Sequence, residues 1–414
     1  MDFYITDFGA IGDGVTLNTA AVQAAIDAAA AAGGRVIVES GIFKIGSILM
    51  HSKVQLHIAA DGVLLGSENP ADYRDFKELS HLDWEMAPRR SVSCLIMLHQ
   101  CENAAITGFG TIDCNGHHFV VPTENDRACN YKRIDGFTPP RVVLAAGCRN
   151  LTIRDISMIN QPAGWSYWIH DCDFVTVKDI TIRCSVEFPN NDGVHINCSR
   201  DVTVTGCDIS CGDDCLVARA NSATLKENKP CERIYFGDCR LTSYSAGLRI
   251  GWVNDGVIRD VTMENITMTD CSVGISLYIP GTVRSANMTD VGREATLVEN
   301  FRFRNITMET AGYPIYISLP EHPSVNVAGV ADLEFRDIAV RSPHLPYLKG
   351  RTGMPIRDIR FVDCSFTKTD SDWCRQRPCT GWLMTPGHTY DPQPMTIAHA
   401  ENIQFTNTHF STEN

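Results

Sequence analysis

The sequence predicts an all-β fold: a single right-handed parallel β-helix of about ten coils with an N-terminal capping helix. From residue 150 onward a short phrase recurs that is apolar at alternate positions, as in NLTIRDISM and NFRFRNITM. The loops between phrases vary in length, as expected for coils that stack on their neighbours and carry insertions outside the strands. A chain of 414 residues would ordinarily suggest several domains, but the continuous repeat predicts one domain, residues 1–414.

Each phrase is interrupted at one fixed position by Asp, Asn or Gly, residue types that favour tight bends. The interruption predicts a bend between two short strands of the same coil. The nine predicted bend residues are Asp155, Asp179, Gly206, Asp238, Asn265, Asn305, Asp337, Asp363 and Asn407.

Residues 1–60 are predicted to form the N-terminal cap and the first coils. The alanine-rich stretch 19–32 has helical spacing and is followed by Gly33-Gly34, which is typical of a helix end. Residues 35–38 and 54–58 alternate like strands. We expect the helix to cover the open strand edges at one end of the solenoid.

Composition and charge indicate which partners and cofactors this protein is not expected to bind. With 49 acidic and 36 basic residues, the net charge of −13 argues against a nucleic-acid partner. No apolar run reaches the roughly 18 residues of a membrane span, and the first residues have no basic or apolar leader, so we expect a cytoplasmic protein with no membrane partner. Most of the 17 cysteines are then expected to be reduced core residues, and no metal and no cofactor are expected. The oligomeric state is left open.

The repeat also predicts which side chains are neighbours, because equivalent positions on successive coils stack about 4.8 Å apart. Aligning segments 191–196, 213–218, 245–250 and 272–277 produces an inward and an outward column. The inward column is Val194, Leu216, Leu248 and Ile275, and the outward column is His195, Val217, Arg249 and Ser276. The same register places Asp192 against Asp214, with Asp213 alongside.

Three carboxylates at one place cannot all ionise freely, so the pKa of at least one of them should rise. One carboxyl with a raised pKa and one without it supply the general acid and general base that glycoside hydrolysis requires. Taken singly, Asn-Asp-Gly at 191–193 and Gly-Asp-Asp at 212–214 are ordinary turn sequences. Their predicted contact on neighbouring coils favours an active site.

The chain resembles the polygalacturonase-like glycoside hydrolases of family 28. The resemblance includes DFGAIGDG at the N-terminus, the segment 110–116, the coil 161–166, and above all Asn190-Asn191-Asp192 and Gly212-Asp213-Asp214-Cys215. It implies that Asp213 is the general acid and that Asp192 and Asp214 activate water, with inversion of configuration. The coil spacing itself is shorter than the roughly 6.5–9.5 Å between carboxyls of inverting enzymes, so inversion comes from the resemblance alone.

Two family motifs are replaced in this chain. The Gly-His-Gly motif corresponds to Ser245-Ala246-Gly247, and the Arg-Ile-Lys motif that binds the galacturonate carboxylate corresponds to Ser276-Leu277-Tyr278. Rhamnogalacturonan-cleaving members also lack that histidine, so the implied substrate is an oligosaccharide from pectin that contains galacturonate and possibly rhamnose. The expected substrate-binding residues are Arg249, Arg219, His195, Asn190, Tyr278 and Trp252. Arg249 is the expected carboxylate ligand, Arg219 matches a lysine common in the family, and His195 is otherwise expected to be a surface residue.

Three long inserts lie outside the repeat, at residues 69–93, 117–140 and 280–298. From their length we expect them to wall one end of the groove, which would favour exo action. Two other classes are left open. A β-helix polysaccharide lyase or epimerase would need a basic proton abstractor, and commonly calcium. A non-catalytic or diverged carbohydrate-binding β-helix would explain the replaced motifs.

Overall fold

The computed structural model describes residues 1–79, 81–87, 91–123, 131–162, 164–252, 254–279, 294–319, 321, 326–370 and 395–413. Its strands form one 32-stranded sheet, in which each strand pairs in parallel with the equivalent strand of the next coil. The sheet winds into a right-handed parallel β-helix, as the repeat predicts. The winding divides the sheet into three faces along the solenoid.

The first face contains Asp2–Tyr4, Gly34–Val38, Val54–Ile58, Ala105–Gly108, Arg149–Arg154, Asp173–Lys178, Arg200–Thr205, Cys231–Gly237, Ile356–Val362 and Ala400–Thr406. The second contains Asp13–Leu17, Gly41–Ile45, Gly62–Gly66, Thr111–Asp113, Ser157–Ile159, Thr181–Arg183, Asp208–Cys211, Arg240–Ser243, Ser365–Lys368 and His409–Thr412. The third contains Ile48–Met50, Cys94–His99, Arg141–Ala146, Tyr167–His170, Val194–Asn197, Leu216–Arg219, Ala246–Ile250, Tyr347–Lys349 and Thr396–Ala398. Three long strands, Val257–Tyr278, Thr296–Ser318 and Val327–Ser342, continue around the bends from one face to the next.

The bends lie where the sequence predicts them. All nine predicted bend residues have a positive φ, between 46° and 67°, a region that Gly, Asn and Asp tolerate best. Amide side chains link the bends of adjacent coils: Asn265 Nδ2 donates to Asp238 Oδ1 at 3.0 Å, and Asn305 Nδ2 donates to Asn265 Oδ1 at 2.8 Å. The repeated polar residue therefore supplies both the backbone conformation and a contact between coils.

The core lies inside the coils and is built from stacked side chains. Phe303, Phe335 and Phe361 form a buried column with centroid separations of 4.6 and 4.8 Å and nearly parallel rings. The exposed Phe405 continues this column at 5.0 Å. Cysteines fill part of this interior, as expected for a small apolar side chain. The 14 cysteines in the described ranges are free, and all but Cys184 are buried.

The one α-helix of the described residues spans Thr19–Ala32, as predicted. It buries Val22, Ala25, Ile26 and Ala29 and packs on the first coils; that it serves as the cap of the solenoid stays a prediction. Short 3₁₀ turns lie at Ile5–Phe8, Pro70–Asp72, Trp84–Met86 and Gly116–Phe119. Outside the main sheet, Val120–Pro122 pairs antiparallel with Tyr131–Arg133. Within the described residues no helix has the length and apolar character to cross a membrane.

Candidate active site

The predicted register of the central coils is confirmed. Val194 pairs with Leu216, Leu216 with Leu248, and Leu248 with Ile275, and all four side chains are buried. The outward column of His195, Val217, Arg249 and Ser276 is in register as well. The Gly193 N–H donates to the Asp214 carbonyl at 2.9 Å, so Asp192 and Asp214 face each other where their coils enter the third face.

Asp213 is held by the two asparagines that precede Asp192. Asn190 Nδ2 donates to Asp213 Oδ2 at 2.9 Å, and the Asp214 N–H donates to Asp213 Oδ1 at 3.1 Å. The buried Asn191 Oδ1 accepts from the N–H groups of Gly212 (2.7 Å) and Asp213 (3.2 Å). Asn191 thus fixes the turn of the next coil, and Asn190 orients the carboxyl that the turn carries.

Asp214 has the titration behaviour that the carboxylate cluster predicts. Burial, reinforced by the charge of Asp213, raises the pKa of Asp214 to about 7. The nearby Arg249 acts in the opposite direction, as do two donors to Asp214 Oδ1: Ser245 Oγ at 2.7 Å and the Ala246 N–H at 3.2 Å. One carboxyl of the cluster is therefore partly protonated near neutral pH.

Asp192 is 5% exposed and lies beside a buried histidine. His195 Nδ1 is 3.3 Å from Asp192 Oδ2, and the imidazole stacks on the Trp165 ring with centroids 4.0 Å apart. Burial lowers the pKa of His195 well below its ordinary value, and the nearby Arg219 and Arg141 add to this. The expectation that His195 is a surface residue is wrong: the side chain is 4% exposed, since Trp165 covers the outward face of its coil.

Both arginines that were expected to bind the substrate have hydrogen-bond partners within the protein. Arg219 forms a bidentate ion pair with the fully buried Asp255, at 2.6 and 2.8 Å. Arg249 is 3% exposed and donates to the carbonyls of Gly251 (3.2 Å) and Tyr278 (2.9 Å) and to Ser276 Oγ (3.4 Å). The outward register of Arg249 is confirmed, but the structure gives both guanidinium groups partners within the protein.

The two predicted aromatic residues lie over Arg249. The guanidinium is 4.4 Å from the centroid of Trp252 and 5.5 Å from that of Tyr278. The rings of Trp252 and Tyr278 meet edge to face at 6.4 Å. Trp252 is half-buried and Tyr278 is buried at 7% exposure, so Trp252 presents more ring surface for a sugar to contact.

The third face is covered on the N-terminal side of the carboxylates. Phe76, Leu82 and Trp84 of the 69–93 insert are buried in one apolar cluster with side chains of the third face, including Met97, Leu144 and Trp168. The insert is also tied to a later loop, since the Asp83 N–H donates to the Thr224 carbonyl at 2.8 Å. In its described part this insert therefore covers a portion of the third face; that the inserts wall one end of a substrate groove stays a prediction.

The second insert contributes the antiparallel pair Val120–Pro122 and Tyr131–Arg133. Tyr131 packs edge-on against Phe188 with centroids 4.9 Å apart, and Arg133 Nη2 donates to Asn190 Oδ1. Within the third insert, residues 280–293 lie outside the described residues.

Several site residues were missed by sequence reasoning. Ser245 stands in the segment that replaces a family motif, and only its position opposite Asp213 on the next coil, one residue before the partner of Asp214, could have identified it. Arg141, with its guanidinium 4.3 Å from the centroid of Trp168, and Arg133 come from positions that the repeat does not describe. For Arg133 the sequence contained no usable signal.

The fold is a parallel β-helix with three aspartates on two adjacent coils, next to a surface that an insert partly covers. The chain belongs to glycosyl hydrolases family 28, whose family model matches residues 80–381, well over half of the chain. It is therefore a glycoside hydrolase, and the resemblance drawn from the sequence is confirmed.

Relatives and solved structures agree with this assignment. An exopolygalacturonase from Zea mays is 26% identical over 360 residues, which are 79% of this chain and 81% of that protein. The crystal structure of a hyperthermoactive exopolygalacturonase from Thermotoga maritima has a TM-score of 0.72 at 20% identity and covers 89% of this chain and 87% of its own. A family 28 exopolygalacturonase from Yersinia enterocolitica has a TM-score of 0.71 at 19% identity, covering 100% of this chain and 78% of its own. At these identities the two structures support the fold.

Proposed function

We propose that this protein is an exo-acting, inverting glycoside hydrolase that removes terminal galacturonate from oligosaccharides derived from pectin. The observation that carries the proposal is the cluster of Asp192, Asp213 and Asp214 beside a third face that the 69–93 insert closes at one end. Relatives named exopolygalacturonases support the same substrate class and the same mode of action.

In the proposed reaction, the glycosidic bond between the anomeric carbon and the leaving oxygen breaks. The family resemblance assigns the proton donor to Asp213, whereas the raised pKa of Asp214 places the proton of the free enzyme on Asp214. We therefore propose that the two carboxyls exchange this proton before cleavage. Asp213 then gives it to the leaving oxygen, and a water oxygen bonds to the anomeric carbon. The proton that this water loses passes to Asp192 or Asp214, which also orient it. Because Asn190 Nδ2 donates to Asp213 Oδ2, the Asp213 carboxyl keeps its orientation while the glycosidic bond breaks.

We infer exo action from the position of the apolar cluster that covers part of the third face. An endo enzyme needs an open groove on both sides of its carboxylates so that a long chain can pass through. Here the buried cluster around Trp84 and Trp168 occupies the third face on the N-terminal side. A chain end can enter against this wall, whereas a polymer running through it would have to displace the apolar cluster.

The test is product analysis with the wild-type protein and Asp213→Asn on homogalacturonan and rhamnogalacturonan oligosaccharides. We expect monosaccharide release from homogalacturonan oligosaccharides, the inverted anomer by proton NMR in the first minutes, and turnover at least about 10³-fold lower in Asp213→Asn. A ladder of random-length fragments would contradict exo action, and the retained anomer would contradict inversion. Cleavage of rhamnogalacturonan oligosaccharides alone would show that rhamnogalacturonan, and not homogalacturonan, is the substrate.

The same experiment separates the competing classes. An unsaturated product with ultraviolet absorbance would identify a lyase. Sugar binding that is equal in the wild type and Asp213→Asn, with no product from any substrate, would identify a binding protein. Asp135→Asn is the matched control, because the Asp135 side chain is 92% exposed and lies outside the carboxylate cluster.

A further inference from the structure

Phe174 occupies a backbone position at which the neighbouring coils have small polar residues. Asn103, Asn150 and Asp201 stand in register with it and have φ values of 55°, 56° and 55°. Phe174 shares this left-handed conformation, with a φ of 58°, although a bulky side chain is unusual there. Its ring is 47% exposed, so packing in the core does not account for it. Strained backbone conformations cluster at ligand-binding sites, which makes this ring a candidate for one.

Arg149 stacks on the Phe174 ring and has no other side-chain partner. Its guanidinium is 4.5 Å from the ring centroid, and the residue is exposed. Among the residues that the structure describes, no group accepts a hydrogen bond from this guanidinium and no carboxylate forms an ion pair with it. Its five N–H donors are therefore open to a ligand.

The carboxylates nearest to Arg149 are engaged by other cations. Asp173, its partner in the sheet, is 3.0 Å from Lys229 Nζ. Arg233 donates to both carboxylate oxygens of Asp201, at 2.7 and 2.9 Å. These hydrogen bonds are the main reason why the pKa of Asp201 is lowered, and the charge of Arg149 is a minor one. The ion pairs of this face are thus complete without Arg149.

Arg149 and Phe174 line an open pocket of about 370 Å³ at the bend that leads from the third face to the first. The other lining residues are polar: Glu102, Asn103 and Asn150. A flat ring can contact the C–H groups of a sugar, a guanidinium can bind a carboxylate through two hydrogen bonds, and carboxamides can bind hydroxyl groups. Glu102 can accept from a hydroxyl, but its charge opposes a dense polyanion. Together these groups fit a sugar with one carboxylate per ring.

The pocket is separate from the catalytic carboxylates. Asp192 comes directly before the third-face strand Val194–Asn197, whereas Asp201 follows this strand. Because Asp201 is in register with Phe174, the width of the third face lies between the pocket and the carboxylates. A sugar in the pocket is therefore out of reach of the reaction.

We propose that Phe174 and Arg149 form a second carbohydrate-binding site, which holds a galacturonate residue of a pectin polymer. The choice of ligand rests on the proposed function, but binding here requires no cleavage. A second attachment raises the local concentration of polymer at the enzyme, so the site should affect action on polymers and not on short oligosaccharides.

The test is affinity electrophoresis in gels that contain polygalacturonate, with Asp213→Asn as the parent protein so that the polymer stays intact. We expect Arg149→Gln and Phe174→Asn each to weaken binding of the polymer about 3- to 10-fold. Asn suits position 174 because the adjacent coils have Asn and Asp there. The Tm of Phe174→Asn should stay within about 2 °C of the parent.

Two matched controls lie outside the pocket. Phe109→Asn removes a phenylalanine that is 71% exposed, and Lys178→Gln removes an exposed cation of the first face. Both should bind the polymer within about 1.5-fold of the parent. Binding that is unchanged in Arg149→Gln and Phe174→Asn, or weakened equally in the two controls, would overturn the proposal.

A gel with methyl-esterified polygalacturonate tests the carboxylate contact. The loss in Arg149→Gln should fall below about 1.5-fold there, whereas the loss in Phe174→Asn should persist. An equal loss in Arg149→Gln on both polymers would refute recognition of the acid.

Kinetics separate this site from the active site. With Asp213 intact, Arg149→Gln should lower product release from polygalacturonate at least about 3-fold and leave kcat/KM on trigalacturonate within about 2-fold. An equal loss on both substrates would place the effect in the active site and refute the second site. If the wild type cleaves neither substrate, the proposed function fails, whereas electrophoresis still decides whether the second site exists.

Discussion

Replacing Asp214 by Asn should stabilise the fold above neutral pH while removing activity. The folded protein raises the pKa of this carboxyl from 3.8 to about 7, chiefly by burial. A raised carboxyl pKa means that the folded state keeps its proton to higher pH than the unfolded chain does. The stability associated with Asp214 is therefore present below about pH 4 and is lost as the pH rises through about 7.

The expected gain in stability of Asp214→Asn follows from the size of the pKa shift of Asp214. A pKa shift of about three units, at about 1.36 kcal/mol per unit, gives an upper bound of about 4 kcal/mol for the change in the free energy of unfolding. Asp214 keeps partial contact with solvent and titrates beside Asp213, so we expect about 1–3 kcal/mol. Asn is neutral at every pH and its Oδ1 can still accept from Ser245 and Ala246, which keeps the hydrogen bonds of the site.

The assay is thermal unfolding of wild type and Asp214→Asn at pH 4 and pH 8. An unfolding entropy of about 2.1 cal/mol/K per residue over 414 residues makes 1 kcal/mol worth about 1 °C. The variant should therefore melt about 1–3 °C above wild type at pH 8 and within about 1 °C of it at pH 4. A variant that is less stable than wild type at both pH values, or equally shifted at both, would refute this account of Asp214.

Three further predictions concern the same molecule. His195→Leu should lower kcat about 10- to 100-fold with KM within about 3-fold, because Asp192 loses a positioning contact, whereas His195→Asn, which keeps a donor, should recover most of kcat; equal losses in both variants would indicate a packing role. Ser245→Ala should move the pH profile of kcat that depends on Asp214 to higher pH, since a donor to the ionised carboxyl is lost, and an unmoved profile would contradict this. Phe335→Ala should cost about 3–5 kcal/mol in denaturant unfolding, because Phe335 is fully buried between stacked rings; a loss below about 1 kcal/mol would contradict the stacked core.

The repeat made much of this structure predictable, because a stacked solenoid leaves little freedom in register. Apolar residues at alternate positions must face inward, and this requirement alone aligns Val194 with Leu216. The bends followed from the same repeat, since Asp and Asn accept the positive φ found at Asp155 and Asn305. From that alignment the contact between the coils of Asp192 and Asp214 could be predicted as well.

The repeat does not predict which residues pack over the outward-facing side chains. The alternating pattern correctly predicts that the Arg249 side chain points outward from its strand. It does not predict that Trp252 and Tyr278 lie over Arg249 and bury it. His195 was misjudged for the same reason, because Trp165 lies over it from a loop. An ion pair such as that of Arg219 with Asp255 joins a strand to a loop outside the repeat, so periodicity could not identify it.

This division of the chain has a consequence for how specificity is encoded. The coils fix the carboxylates to a regular spacing, and a change there disturbs the stacked core on both sides of the substituted coil. The inserts carry no such constraint, and the 69–93 insert supplies the apolar cluster around Trp84. In the proposed function, bond cleavage therefore rests on residues that the solenoid holds rigidly, whereas exo action rests on an insert that can change independently. A relative with the same three aspartates and a different 69–93 insert is therefore expected to share the reaction and to differ in where along the chain it cuts.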